Sequence, residues 1–317
     1  MEKSLNRRNF MKIMGAGSLS LILPNYLFSQ KNPIKIVAKE FSKLPSLEYT
    51  NIFHNEIQWK NISEGLDFSR TEIYRERELI DVITSLRINP EDNKIRVFNG
   101  YSNSGIEART IENWQQKTDA LAMINSNQYM ADPYYSPCAL VMCDGKQKGP
   151  KINKSVRGML VSEPEIEGVP KADLLDFKFD RFDYKKTPYK NGVQHWPILL
   201  DREENIRVKP SNWQANRTVV SKTKNNEILF MTTEGGYFTL YNFGKFLRNS
   251  NNREDKGFNV HTAMNMDGGY EANMIVKSPT LEYITYGEFE TYGSQKDATI
   301  FNRKIPIPGA IGVFPRY

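Results

Sequence analysis

Short apolar runs, each long enough for one strand, recur along most of this 317-residue chain and are separated by turn-forming residues. Runs of about four to eight residues bounded by Gly, Pro, Asn or Asp favour strands over helices. Residues 81–88 alternate and predict a strand, 89–93 a turn, and 94–98 a second strand. Residues 120–124 predict a buried strand ending at Asn125, and 139–143 a strand entering an Asp144-Gly145 hairpin turn. Further strands are expected at 158–161, 196–200, 217–220, 227–232, 260–267 and 273–276, with a closing strand within 303–314. Two segments carry helical signals. Residues 110–118 form one, and 240–248 the other, with Thr239 as its N-cap and Leu240, Phe243, Phe246 and Leu247 at helical spacing. The stretch 146–190 is rich in Lys, Asp, Pro and Gly and is expected to hold surface loops over a site. The fold class is α+β, a mostly antiparallel sheet with few helices.

The first 30 residues are expected to be a twin-arginine signal peptide. Asn6-Arg7-Arg8-Asn9-Phe10 precedes an apolar run from Ile13 to Phe28 that Gly15, Gly17, Ser18 and Ser20 interrupt. At about 16 residues the run is short of the ~20 needed to span a bilayer. The expectation is export by the twin-arginine translocase to the periplasm or beyond, with no stable membrane span. Residues 31–58 are expected to be a spacer or edge segment, and 59–317 one domain. The formal charge is +6, half of it from the leader. That balance argues against nucleic acid as a partner and is compatible with an anionic small substrate. Aromatic residues make up 12% of the chain, as suits a β-rich domain or a carbohydrate-handling surface. Cys138 and Cys143, an odd number of positions apart on an expected strand, point to opposite faces and should not pair. With His54, His195 and His261 they form no zinc spacing. Asp132, Asp144 and Asp267 are too scattered to suggest a metal site, and no cofactor is expected.

Three polar constellations sit at strand ends: Asn125 after 120–124, Asn216-Arg217-Thr218 before 219–220, and Asn265-Met266-Asp267-Gly268-Gly269 after 260–264. In a regular strand Val260, Thr262, Met264 and Met266 would share one face and His261, Ala263, Asn265 and Asp267 the other. His261 would then lie roughly 20 Å from Asp267 at ~3.3 Å per residue, too far to pair with it. The glycine pair permits a tight turn and close approach of a ligand to the backbone, although a plain hairpin would use it too. Arg217 is suited to a phosphate, or to an ordinary salt bridge. Glu271 adds a second carboxylate near Asp267, either for acid/base work or as a surface charge.

In their order and spacing these segments resemble the phosphodiester glycosidase family. Asn125, Arg217-Thr218-Val219, Gly235-Gly236 with the helix after Thr239, and Asn265-Met266-Asp267-Gly268-Gly269 stand where the family has its motifs. Trp196-Pro197-Ile198-Leu199 and the stretch 308–314 resemble two of its strands. The resemblance spans roughly residues 80 to 317. The chain departs from the family after Gly269, with Tyr270-Glu271-Ala272-Asn273 in place of Gly-Ser-Ser-Thr, and after Asn125, with Ser126-Asn127-Gln128 in place of a glycine pair. The resemblance implies hydrolysis of a bond between a sugar and a phosphate, on a phosphorylated glycan or other glycosyl phosphodiester. It implies Asp267, Arg217 and Asn125 as catalytic residues, and Thr218, Asn265, Gly268, Gly269 and Glu271 as substrate-binding ones. Two rivals stay open: a non-catalytic glycan binder, for which Tyr129, Tyr134 and Tyr135 would be exposed aromatics, and a metal-assisted phosphate-ester hydrolase.

Overall fold

The computed structural model describes residues 52–102, 105–130, 136–251, 257–291, 298–300 and 304–316. The expected leader, Asp132, Tyr134 and Tyr135 lie outside them. Antiparallel strands dominate the described residues, which include two α-helices, Ile111–Thr118 and Leu240–Ser250.

The largest sheet has eight strands. Its path runs Ile52–His54, Leu66–Arg75, Glu78–Ile88, Ile228–Thr233, Thr218–Thr223, Val260–Asn265 and Ile198–Leu200, with Lys60–Ser63 paired outside that path to Leu66–Arg75. A second sheet orders Leu281–Thr285, Met274–Ser278, Ala122–Asn125, Gly309–Pro315 and Asn93–Asn99. A third orders Lys146–Lys148, Val141–Cys143, Tyr189–His195, Gly158–Pro164 and Ala172–Asp176. One core joins all three. Leu86, Val220, Phe230 and Met264 come from the first, Ile95, Ile124, Met274 and Ile311 from the second, and Val141, Leu160, Leu174 and Val193 from the third. The outer face of the eight-stranded sheet is closed by the Leu240–Ser250 helix through Phe243, Phe246 and Leu247. Thr239 caps that helix by accepting from the Asn242 N–H, and Thr110 caps the shorter one through Asn113. Trp114 of the shorter helix packs with Met123 and Ala310 of the second sheet.

One expectation is refined and two are corrected. Within 146–190 the strand expected at 158–161 runs Gly158–Pro164 and, with Ala172–Asp176 and the start of Tyr189–His195, builds the third sheet and feeds the core, so the loops of this stretch connect strands of that sheet. The polar composition that suggested loops belongs to their connections. The strand beginning at Val260 stops at Asn265, two residues short. It is also irregular. Lys222 pairs with Thr262 and Thr223 with Val260, so His261 is an extra residue in the ladder. The bulge turns Val260 to the side of Ala263, in the cluster under the long helix, while Met264 and Met266 enter the central core. Cys138 and Cys143 are both free thiols, as their spacing implied.

Candidate active site

The site forms where the ends of the first two sheets meet. Asn125 ends its strand, with Ala310 opposite it on one side. Its Oδ1 accepts from the Thr218 hydroxyl at 2.7 Å and from the Asn273 N–H at 3.1 Å. Its Nδ2 donates to the Asp267 carbonyl at 2.7 Å. One buried amide therefore ties the start of the Thr218–Thr223 strand to both ends of the Asp-Gly-Gly turn. Both acceptor positions of Oδ1 and one of the two Nδ2 hydrogens are thus engaged by the protein, which suits Asn125 to holding the Asp267 turn. Thr218 is held likewise, through its hydroxyl to Asn125 and its carbonyl to the Met266 N–H.

Asn216 makes the second knot. Its Nδ2 donates to the Thr233 and Glu234 carbonyls, its Oδ1 accepts from Glu288 and Phe289 N–H groups, and its carbonyl accepts from the Gly269 N–H. Gly269 has φ +67°, and a Cβ there would stand 2.3 Å from Glu290 Oε2. Glycine is thus required twice over, by backbone conformation and by the approach of Glu290.

Arg217 is buried, 6% exposed. Nε donates to the Phe238 carbonyl at 3.1 Å and Nη2 to the Trp213 carbonyl at 2.7 Å. The two carbonyls take two of the five N–H groups, which leaves both hydrogens of Nη1 and one of Nη2, a pair of nitrogens that can still present a fork to a phosphate. Burial lowers its pKa to about 10, and the Glu290 carboxylate opposes that shift. The loop that supplies Phe238 is pinned from a distance. Asp81 accepts from the Gly235 N–H at 2.6 Å and the Tyr237 N–H at 2.9 Å, and burial pushes its carboxyl up to about 7.

Three carboxyl groups gather around the turn. Asp267 accepts from the Gly268 N–H at 3.1 Å and from the Gln128 side chain. Burial first, then the Glu271 and Glu290 charges, raise it well above the usual carboxylate range. Glu271 accepts from the Tyr129 hydroxyl at 3.0 Å and is half-buried, so it is not a surface charge. Burial, then Glu290, push its carboxyl up to about 7. Glu290 accepts from the Trp213 indole at 3.0 Å and is raised by burial, with Arg217 and Trp213 acting against the shift. Asn265 is buried beside the Trp196 and Pro197 carbonyls, and its Oδ1 has no partner among the described residues.

Composition and spacing gave no sign of Glu290, Gln128, Tyr129 as a carboxylate donor, or His195. His195 is fully buried. Its Nε2 accepts from the Gln128 N–H at 3.1 Å while Nδ1 donates to the Trp196 carbonyl, and burial lowers its pKa to about 4. It is a neutral prop for the wall that carries Gln128 and Tyr129. His261, by contrast, lies among Lys222, Arg202, Lys224 and Asp173, away from the turn. Tyr129 is 5% exposed, which removes it from the exposed aromatics expected of a glycan binder. Asp144 is paired with Arg96 at the surface, and no cluster suited to a metal ion occurs among the described residues.

The profile of the phosphodiester glycosidase family matches residues 118–314, more than half of the chain. The fold is similar to the catalytic domain of zebrafish N-acetylglucosamine-1-phosphodiester alpha-N-acetylglucosaminidase, described as auto-inhibited by its pro-peptide. The TM-score is 0.51 at 13% identity, covering 86% of both chains. It is also similar to a hypothetical protein from Synechocystis, with a TM-score of 0.50 at 12% identity, over 82% of this chain and 64% of that one. The chain thus spans just under two thirds of that protein's length. Comparison with curated protein sequences finds no match.

Proposed function

The chain belongs to the phosphodiester glycosidase family, and from that premise we propose that it is an exported hydrolase of sugar-1-phosphodiesters in an envelope or extracellular glycan. The observation that carries this proposal is the bond from Asn125 to the Asp267 carbonyl, which joins two sequence motifs 142 residues apart at one turn. In the proposed mechanism the substrate's phosphate sits toward Arg217 Nη1 and its anomeric carbon toward the Asp267 carboxylate. Asp267 acts as base on water, or as nucleophile, against an oxocarbenium-like transition state. Asn125 and Thr218 hold Asp267 in place, and Asn265 Oδ1 is available to accept from a sugar hydroxyl. The Gly268-Gly269 backbone lets the substrate approach the turn closely.

The test is release of free sugar from an N-acetylglucosamine-1-phosphodiester by the purified protein, with and without chelator. Asp267→Asn should abolish turnover without changing the thermal melt; a fully active variant refutes the assignment. Glycan retention without sugar release would favour a binder, and loss of activity in chelator a metal-assisted hydrolase. Export through the twin-arginine translocase is tested by replacing Arg7 and Arg8 with lysine, which should leave the protein in the cytoplasm.

A further inference from the structure

We propose that the basic run over residues 146–157 is a docking ridge for a glycan chain in which phosphodiesters recur, so that the substrate is a polymer gripped beside the cleft as well as in it. The inference deepens the proposed function and rests on it for the phosphodiester chemistry. Lys146, Lys148, Lys151, Lys154 and Arg157 fall within this run, and no acidic residue occurs between Asp144 and Glu163. The run carries +5, against a formal +6 for the whole chain. Lys146, Lys151, Lys154 and Arg157 are exposed and Lys148 is half-buried. The acids around them are already committed. Asp144 pairs with Arg96 and Glu163 with Arg316, each at 2.6 Å. Across the third sheet Asp173 pairs with Lys222 and Asp180 with Arg202. Among the described residues none of the five cations is in an ion pair. Like charges gathered in this way repel one another and draw in counter-ions, so the ridge favours an extended polyanion.

The ridge is fixed in place, and it rests on the wall of the cleft. Gln194 is fully buried. Its Oε1 accepts from the Asn153 N–H at 2.9 Å, and its Nε2 donates to the Asn153 and Val156 carbonyls at 2.6 and 2.7 Å. The next residue, His195, accepts from the Gln128 N–H. At the other end of the run Gly149 packs on Pro137, where a Cβ would stand 2.8 Å from the proline ring. Pro137 in turn is bridged to Tyr129, whose hydroxyl reaches Glu271. Backbones paired in this way lie about 5 Å apart. The wall segment that serves Asp267 and Glu271 is therefore also the segment on which the ridge rests. A chain with one phosphodiester at the Asp267 turn can continue past this wall, its next phosphates meeting ammonium groups. Lysines are mobile point charges and suit a flexible chain, in contrast to the buried Arg217. Each further contact is intramolecular once the first is made, so affinity rises with the number of repeats.

The experiment uses the full protein and four probes: a purified oligomer of repeating N-acetylglucosamine-1-phosphodiester units, a single unit of the same chemistry, neutral dextran, and phosphatidylglycerol vesicles. The Asp267→Asn protein, which should leave the probes intact, should bind the oligomer about tenfold or more tightly than the single unit, with no binding of dextran. That advantage should vanish between about 50 and about 200 mM salt, as expected of exposed charges. Replacing Lys146, Lys151, Lys154 and Arg157 together by glutamine should abolish the advantage. In the background with Asp267 intact, the same replacement should lower the ratio of kcat/KM, oligomer over single unit, by about tenfold. Arginine at the three lysine positions should preserve both, which separates charge from any defect in folding. Equal affinity for oligomer and single unit, or an advantage that survives the glutamine variant, overturns the inference and leaves the proposed function standing. Vesicle binding that depends on the ridge, with no oligomer advantage, assigns the ridge to a membrane surface and overturns it likewise. Ridge-dependent oligomer binding without release of sugar from either phosphodiester supports the docking surface and refutes the proposed hydrolysis.

Discussion

Replacing Asn125 by alanine separates a residue that positions the site from one that touches substrate. The side chain satisfies three groups at once: the Thr218 hydroxyl, the Asn273 N–H and the Asp267 carbonyl. Asn125, Thr218 and Asn273 are each at most 1% exposed. A buried polar group left without a partner costs about 1–3 kcal/mol, so three would cost roughly 3–9 kcal/mol. The space vacated by the amide has room for about one water, which can rejoin two or three of these groups. The expected net loss is therefore about 3 kcal/mol, toward the low end. Urea unfolding should show a lower midpoint at unchanged slope. The thermal midpoint should fall by about 6–12 °C, given the roughly 2–4 °C per kcal/mol usual at this size. Thr218→Val removes one of the three bonds and should cost about 1 kcal/mol. Because both residues share one bond, the double variant should fall short of the sum by about 1 kcal/mol. Turnover should drop in both as the Asp267 turn loosens. Stability within 0.5 kcal/mol of wild type, combined with a loss of turnover above roughly a thousandfold, would refute this reasoning and return Asn125 to direct contact with substrate.

Gly269→Ala should cost more than 2 kcal/mol, about 1–2 from the positive φ and the rest from displacing Glu290, which a Cβ would meet at 2.3 Å; a melt unchanged from wild type would mean that the turn relaxes freely. Arg217→Lys should raise KM for phosphodiesters more than for neutral glycosides and lower stability by about 2 kcal/mol, because a lysine cannot serve both the Phe238 and the Trp213 carbonyls; equal KM effects on both substrates would make Arg217 purely structural. Stability should also depend on pH in a set direction. Asp81 and Glu271 are both raised to about 7 in the folded chain, so their contribution is full below the unfolded values of 3.8 and 4.5 and is lost as pH rises through about 7. Glu234 and Asp201 are lowered, so their contribution is lost as pH falls below the unfolded values. The thermal midpoint should therefore peak near pH 4.5, fall between about 4.5 and 7 and level off above that, less steeply in Asp81→Asn, whereas a rise over that interval contradicts the signs.

The elements that announce themselves locally were legible in the chain. Thr110 and Thr239 cap helices whose apolar residues recur at helical spacing, and Asp144-Gly145 closes a hairpin with both residues at positive φ. The Asp-Gly-Gly turn was legible for the same reason. The face assignment along Val260–Asn265 was not, because a bulge is set by the register of the neighbouring strand. The site residues divide in the same way. Asn125, Thr218 and Asp267 each stand at one end of a strand or turn and carry a local mark. Glu290 and His195 do not. Glu290 is brought to the site because Asn216 accepts from the Glu288 and Phe289 N–H groups, a contact across more than 70 residues. His195 is a buried residue at the end of its strand whose importance lies in the N–H it receives from Gln128. Pattern alone gives neither pairing.

The chain's departure from its family after Gly269 acquires physical sense from this geometry. The glycine pair is retained, and Gly269 leaves the space into which Glu290 reaches. One residue further on, Tyr270 is buried, and its neighbour Glu271 turns to the Tyr129 hydroxyl. Small hydroxyl residues in those positions would add no charge. Glutamate adds a third carboxyl beside Asp267 and Glu290, while the Arg217 guanidinium donates to the Trp213 and Phe238 carbonyls. Under the proposed function the residue at 271 thus adds negative charge next to Asp267, whose carbonyl Asn125 anchors.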